Sequence, residues 1–309
     1  MRTALEYIET PQSRIHEPVM VAEVVSLLVE RRPLRMVDAT VGTGGHAMAL
    51  LDAAPSPACL LGLDHDARAL EIAAGRLSRF LERALLRQAD FAELEAKADE
   101  AGFMRIDALL ADLGMSSFAL EDPSRGFSFR HDGPLDMRMD QRQDLTASDI
   151  VNQESAEEIA RIIYEYGEER ASRRIARAIV AARRRQKIGS SGELRKIIER
   201  AMGGGRRGSG VHPATRTFQA LRIAVNHELE SLETLLQRAP ARLAPGGRIV
   251  VISYHSLEDR AVKTRFRELA AIGDFTLVTS KAIRPTADEI ARNPRSRSAR
   301  LRCLERRVE

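Results

Sequence analysis

The sequence predicts an α/β protein, a parallel sheet covered by helices and interrupted by an all-helical insertion. Three observations carry this. Short apolar runs of strand length alternate with helical periodicities up to Asp112 and resume at Arg248. The first run leads through a glycine turn into a helix, in Met36-Val37-Asp38-Ala39-Thr40-Val41-Gly42-Thr43-Gly44-Gly45-His46. A buried strand, a tight turn and a helix N-terminus together hold the polar part of a nucleotide-like cofactor. Between about residues 140 and 214 helical signals run without a strand.

Taken in order, Val19 to Arg31 carries apolar residues at helical spacing, and Leu34 to Ala39 is the first strand. His46 to Asp52 begins a helix, and Cys59 to Asp64 is a second strand ending in an acid. A helix over Ala67 to Phe80, a short strand over Ala84 to Gln88 and a helix over Phe91 to Ala101 follow. Ile106 to Asp112 is the fourth strand, again ending in an acid. Gly114 to Gln143, rich in Ser, Gly, Pro and Asp, reads as a long functional loop. Thr146 to about Met202 is helical, and Gly203 to Gly210 is a glycine hinge. Thr215 to Gln237 reads as one long amphipathic helix, with Phe218, Leu221, Val225, Leu229, Leu232 and Leu236 on one side. Arg248 to Ser253 is a fifth strand. Ser256 is expected to cap the next helix, with Asp259 at the capping-box offset. Phe275 to Thr279 and Leu301 to Leu304 are the last strands.

The 309 residues suffice for one large or two ordinary domains, and 44% hydrophobic with 30% charged residues describes a soluble chain. No run reaches the ~20 apolar residues of a membrane helix, and Met1 to Thr10 lacks the apolar core of a secretory signal. Cys59 and Cys303 lie far apart, which fits a reducing cytoplasm. The seven histidines show no clustered ligand spacing, so no metal is expected. Net charge is only +4, yet basic residues cluster. Arg170 to Lys187 holds eight and no acid; Arg292 to Arg307 holds seven Arg and one Glu. Either run alone could be a solvated helix face; two such runs flanking a cofactor domain point to a polyanionic partner. Aromatic content of 4% argues against a sheet that stacks single-stranded bases.

The strand-end acids decide the cofactor. Asp38, Asp64 and Asp112 end parallel strands, and ligands of open α/β sheets sit beyond those ends. Gly42-x-Gly44-x-x-Ala47 also fits the loose dinucleotide fingerprint, but a pyrophosphate there would meet like charge. S-adenosylmethionine offers a sulfonium, an ammonium and a ribose diol instead. Asp64, twenty residues after Gly44, is placed to accept both ribose hydroxyls. Asp38 either faces the crevice or accepts backbone N–H groups of its own turn. His46 either contacts the ligand or is a half-exposed first-turn residue.

Methylation of cytosine C5 needs a nucleophilic cysteine, and neither cysteine is placed on an active-site loop. An exocyclic amine needs an acceptor that binds an amino hydrogen and turns the nitrogen lone pair towards the methyl group. Asp112, in Asp112-Leu113-Gly114-Met115-Ser116-Ser117, is the catalytic candidate, with the Leu113 or Gly114 carbonyl as an equal alternative.

Several longer runs add to these local signals. They are His16-Glu17-Pro18-Val19-Met20, the glycine turn through His46, Arg125-Gly126-Phe127-Ser128-Phe129, Asp132-Gly133-Pro134-Leu135-Asp136-Met137-Arg138-Met139-Asp140 and Tyr166-Gly167-Glu168-Glu169. Further on stand His212-Pro213-Ala214-Thr215-Arg216-Thr217-Phe218-Gln219-Ala220, Ser253-Tyr254-His255-Ser256-Leu257-Glu258-Asp259-Arg260 and Asn293-Pro294-Arg295-Ser296-Arg297-Ser298. With these, the chain from about His16 to its end resembles the bacterial small-subunit ribosomal RNA (cytosine-N4)-methyltransferases, the RsmH/MraW family.

The resemblance implies a Rossmann-like S-adenosylmethionine-dependent methyltransferase sheet with an inserted all-helical domain. The limits read are residues 1–139 and 215–309 for the methyltransferase domain and 140–214 for the insertion. It implies S-adenosyl-L-methionine held by Gly44, Gly45, His46, Asp64, Phe91 and Asp112, and methylation of N4 of one cytidine in the decoding region. The implied partner is small-subunit ribosomal RNA within the assembled subunit, with no membrane. Two positions depart from the family. Ala119 stands where Gln is usual, which removes any side-chain contact there, and Tyr254 stands where Phe is common.

In the loop, Arg125, Arg130, Arg138 and Arg142 alternate with Phe127, Phe129, Met137 and Met139. They either bind RNA phosphates beside an unstacked base or close a lid on its own core. Arg216, Arg295 and Arg297 are the other RNA-binding candidates; for Arg216 an ion pair with an acid is an equal reading. A non-catalytic RNA-assembly factor and a nicotinamide oxidoreductase are the competing functions, separated by titration with S-adenosylmethionine and with NADH.

Overall fold

Seven strands form one sheet in the order β3-β2-β1-β4-β5-β7-β6. They are β1 (Arg35–Asp38), β2 (Cys59–Asp64), β3 (Ala84–Gln88), β4 (Ile106–Asp112), β5 (Leu243–Ser253), β6 (Phe275–Leu277) and β7 (Arg300–Arg306). The structure is a computed structural model that describes residues 18–80, 82–115, 120, 122–203 and 212–308. His16, Glu17, Ala119 and Gly204–Gly210 lie outside the described residues.

The first five strands run parallel. The parallel sheet implied by the alternating strands and helices holds for these, and β7 enters antiparallel to both β5 and β6. The chain order reverses between β1 and β4, which makes that point the crevice of a doubly wound sheet. Asp38 pairs with Gly62 on one side and Leu110 on the other. Asp64 and Asp112 therefore project two residues beyond Asp38 on the flanking strands.

Alternation along the strands sends apolar side chains to two faces, each covered by helices. On one face Val37, Leu61, Leu109 and Val251 pack with Leu94 of α4 (Leu94–Glu100), Leu232 and Leu236 of α10 (Glu228–Arg242) and Phe266 of α11 (Ser256–Ile272). On the other, Met36, Leu60, Leu110 and Ile252 meet α1 (Val21–Val29) and α2 (Gly45–Ala53) through Val24, Leu28, Leu50 and Leu51. α3 (Ala67–Arg76) leans its Ala73 on the glycine turn, and α12 (Ala287–Arg292) precedes β7.

A second core lies apart from the sheet. It joins α5 (Ala147–Gln153), α6 (Ala156–Gly167), α7 (Ser172–Arg183), α8 (Ser191–Ala201) and α9 (Thr215–Asn226). The long loop contributes Phe127, Leu135 and Met137 to it, and α9 contributes Phe218, Leu221 and Val225. This core thus draws on residues either side of the 140–214 stretch read as the insertion.

Two local expectations change. Thr215–Gln237 is not one helix. His227 takes a left-handed conformation (φ 50°) and separates α9 from α10. The break lets α9 pack on the helical core while α10 packs on the sheet, which one straight helix could not do. The cap of α11 is His255 rather than Ser256, and its capping-box partner is Glu258 rather than Asp259. The Ser256 hydroxyl goes to Glu168, and Asp259 pairs with Arg300 and Arg302, each at 2.8 Å.

Candidate active site at the strand ends

A cavity of about 800 Å³ opens at the switch point, within the range of cofactor sites. Its wall includes Gly42, Gly45, His46, Asp64, Phe91 and Asp112. Five of the six cofactor residues implied by the sequence therefore share one cavity. The sixth, Gly44, is not on that wall. It caps α2 at φ 82°, and a Cβ there would stand 3.3 Å from Ala73, so its glycine serves close packing of turn on helix. Gly45 abuts Pro18.

Asp64 is held by the turn it faces. Its Oδ2 accepts the Gly42 N–H (2.9 Å) and its Oδ1 the Asp66 N–H (2.8 Å). One lone pair on each oxygen stays open to a diol. Burial raises its pKa, opposed by His65. His65 in turn lies 3.9 Å from Asp90. Burial pulls the His65 pKa down, but Asp90 and Asp64 outweigh it and the net shift is upward. Asp90 shifts downward, because His65 and the Ala92 N–H outweigh its own burial.

Asp38 sits behind the wall. It is 1% exposed, its Oδ1 accepts the Thr40 N–H (3.2 Å), and its Oδ2 has no hydrogen-bond partner. This is the turn-acceptor alternative. Burial raises its pKa to about 7; His46 opposes, while Asp112 and Asp64 add to the rise. His46 is buried, with Nε2 2.8 Å from the Val19 carbonyl and Nδ1 3.7 Å from Asp112. It bridges the start of α1 and the β4 end rather than standing half-exposed.

Asp112 accepts the Gly114 N–H (3.2 Å), and its own N–H donates to Thr40 Oγ1 (2.7 Å). Tyr254 lies with its ring against Gly114 and its hydroxyl beside Asp112. Burial, then Asp112, holds the Tyr254 phenol well above its ordinary pKa, so the phenol keeps its proton. Cys59 and Cys303 are free thiols. Burial pushes Cys303 up to about 12, which keeps it from acting as a thiolate.

The arginines expected at RNA divide. Arg125 is buried, and its guanidinium pairs with Asp66 and donates to the carbonyls of Arg138 and Met139. This corrects its reading as a phosphate ligand: it braces the loop against the sheet. Arg138 is likewise turned inward, onto Asp136 (2.9 and 2.8 Å) and the Gln143 carbonyl (2.7 Å). Arg142 pairs with Asp140. Arg130 and Arg297 are exposed. Arg216 is exposed too, donating to the Glu168 carbonyl (3.2 Å) and lying 3.7 Å from Glu169. Arg295 reaches the cavity wall.

Sequence reasoning missed three parts of the wall. Arg222 forms a two-pronged pair with Glu228 (2.7 Å each) across the α9–α10 break. Asn226 ties the break to the loop by accepting the Met139 N–H (2.7 Å) and donating to the Met137 carbonyl (2.8 Å). Glu258, 3% exposed, accepts the backbone N–H groups of Tyr254 (2.7 Å) and His255 (3.2 Å). Nothing local marks the first two; Glu258 was legible only as a capping residue three places after His255.

Glu228, His255 and Glu258 bring ligand atoms within 4.8 Å of one another. His255 Nδ1 accepts the Glu258 N–H (3.4 Å), so in the neutral ring Nε2 carries the hydrogen.

A doubly wound sheet with an acidic, phosphate-averse crevice at its switch point defines a nucleoside-cofactor α/β enzyme of the methyltransferase type. The donor that fits is S-adenosyl-L-methionine, whose positive groups suit a wall that carries seven carboxylates against three arginines. The chain belongs to the MraW methylase family, whose model matches residues 13–307. It is 49% identical to the ribosomal RNA small subunit methyltransferase H of Cyanothece sp., over 94% of this chain and 95% of that protein. It is 48% identical to the protein of the same name from Acidothermus cellulolyticus, over 96% and 95% respectively.

Proposed function

We propose that the protein transfers a methyl group from S-adenosyl-L-methionine to N4 of one cytidine in the decoding region of small-subunit ribosomal RNA, within the assembled subunit. The observation that carries this reading is the shared cavity, with Asp112 at the β4 end beside Asp64 and His46. Its relatives' names supply the RNA class.

When bound, the cofactor supplies an electrophilic methyl on sulfur. The chain's part is to place the amine. Asp112 accepts one amino hydrogen, which turns the nitrogen lone pair out of conjugation and towards the methyl carbon. The Gly114 N–H holds the Asp112 carboxylate in place, with the Tyr254 ring packed on Gly114. The bound donor would give up its methyl carbon to that nitrogen and keep the sulfur–methyl electron pair on sulfur, and the Asp112 carboxylate would pass the proton lost by the methylated amine to water. Alignment and lost translational freedom supply most of the acceleration.

The helical body is the proposed recognition unit. Arg173, Arg174 and Arg177 of α7 are exposed, placed to meet phosphates without base specificity. Arg130, Arg216, Arg295 and Arg297 are proposed as nearer contacts. Among the described residues no helix is long and apolar enough to cross a membrane, and a cytoplasmic site of action is part of the proposal.

Mass mapping of methylated cytidines tests this reading, in small-subunit RNA from cells with and without the protein. One N4-methylated cytidine should vanish with the gene and return with the wild-type chain but not with Asp112→Ala. An unchanged map would overturn the reading.

A further inference from the structure

We infer that Glu258 is a second acceptor for the target amine, paired with Asp112 through Tyr254, and that this pair makes the site select an amine over a carbonyl. The inference rests on the proposed reaction and names a residue that reads its substrate.

Tyr254 joins the two acids. Its hydroxyl lies beside Asp112 and its backbone N–H donates to Glu258 Oε2 at 2.7 Å. Both carboxylates and the Tyr254 ring line the same cavity. Glu258 is fixed from behind: Oε2 also takes the His255 N–H (3.2 Å), and Oε1 lies 3.0 Å from His255 Nε2, outside hydrogen-bond geometry. Glu258 stands in the first turn of α11, at the positive end of the helix. A buried carboxylate that lines a cavity with acceptor capacity left over is costly unless a donor arrives.

An exocyclic amine brings two hydrogens. One acceptor can rotate it; two acceptors bind both hydrogens, pyramidalise the nitrogen and leave the lone pair as the only group free to meet the methyl. Uracil presents a carbonyl oxygen at that position, and two carboxylates would repel it. Selection then comes from a built-in clash as well as from attraction.

The test uses the full chain and small subunits from cells lacking this methylation, with Glu258→Gln as the first variant. Expected are a loss of turnover of at least about tenfold, an unchanged dissociation constant for S-adenosylmethionine, and a weaker preference for target-site C over U. That preference is read by competition with subunits carrying U at the target. A purely structural role would not move the C/U preference at constant cofactor affinity.

Turnover within twofold of wild type, or an unchanged C/U preference, would overturn the inference. So would a tenfold loss of cofactor affinity, which would place Glu258 on the donor side. If circular dichroism shows that Glu258→Gln fails to fold, Glu258→Asp is read instead. It keeps the charge but withdraws the acceptor by one methylene; lowered turnover supports the inference and unchanged turnover overturns it. Failure of the underlying reading is distinct, because the wild-type chain would then methylate no cytidine in these subunits.

Discussion

The acids at the strand ends and the arginines of the 125–142 loop are both dense clusters of charge beside one cavity, and they meet opposite fates. Asp64 and Asp112 are held by backbone N–H groups, and both line the cavity. Arg125, Arg138 and Arg142 each find a carboxylate, in Asp66, Asp136 and Asp140; Arg125 and Arg138 turn inward and Arg142 stays exposed. A charge serves a ligand when neutral donors hold it and serves the fold when an opposite charge holds it. That difference lies in the partners, which composition and spacing do not reveal.

The largest test of the comparison is Arg125→Met. It leaves Asp66 without its buried counter-charge, so chemical denaturation should show a loss of about 3–5 kcal/mol. A loss under ~1 kcal/mol would return Arg125 to the group of ligand-facing cations.

Asp38 tests the acids from the stability side. Its pKa, about 7 when folded against 3.8 as the ordinary value, means the folded chain binds more protons between those limits. Stability from this group is therefore lost as pH rises from about 4 to 7, by a few kcal/mol. Denaturant titrations at pH 5 and 7.5 should show that slope, and Asp38→Asn should flatten it.

Asp112→Ala should lower turnover at least about a hundredfold while leaving RNA affinity unchanged. Equal losses in both would make Asp112 a bracing group like the arginines. Asp64→Ala should weaken S-adenosylmethionine binding by roughly 1.5–3 kcal/mol, read by calorimetry; unchanged affinity would remove it from the ribose. The smallest effect is expected on α7. Replacing Arg173, Arg174 and Arg177 with Gln should lower the salt slope of RNA binding by about 0.7–0.9 for every phosphate that is no longer neutralised. If the slope holds, that helix face meets only solvent.

Much of the site could be read in advance because it is local. The Met36–His46 turn carries its own strand, glycines and helix start, and the acids of β1, β2 and β4 fall at strand ends wherever the strands are drawn. Asp64 was legible from its spacing to Gly44 alone. Gly44 itself was assigned to the ligand because both roles of a turn glycine, close approach to a cofactor and close packing on a helix, look alike in one dimension. Phe91 was legible only through the resemblance, since an aromatic at a helix start is as good a core residue as a cavity wall.

By itself the sequence determined the alternation of strands and helices, the glycine turn and the acids that end the parallel strands. Those depend on interactions a few residues apart, where periodicity and backbone geometry suffice. Only the tertiary structure decided that β7 runs backwards, that α9 and α10 part at His227, and which charges face the cavity. Arg125 meets Asp66 59 residues away, Arg222 and Glu228 close across a helix break, and Tyr254 joins Asp112 to Glu258 from the far side of the insertion. Ion pairing acts through space, and its outcome is set by which segments the folded sheet brings side by side.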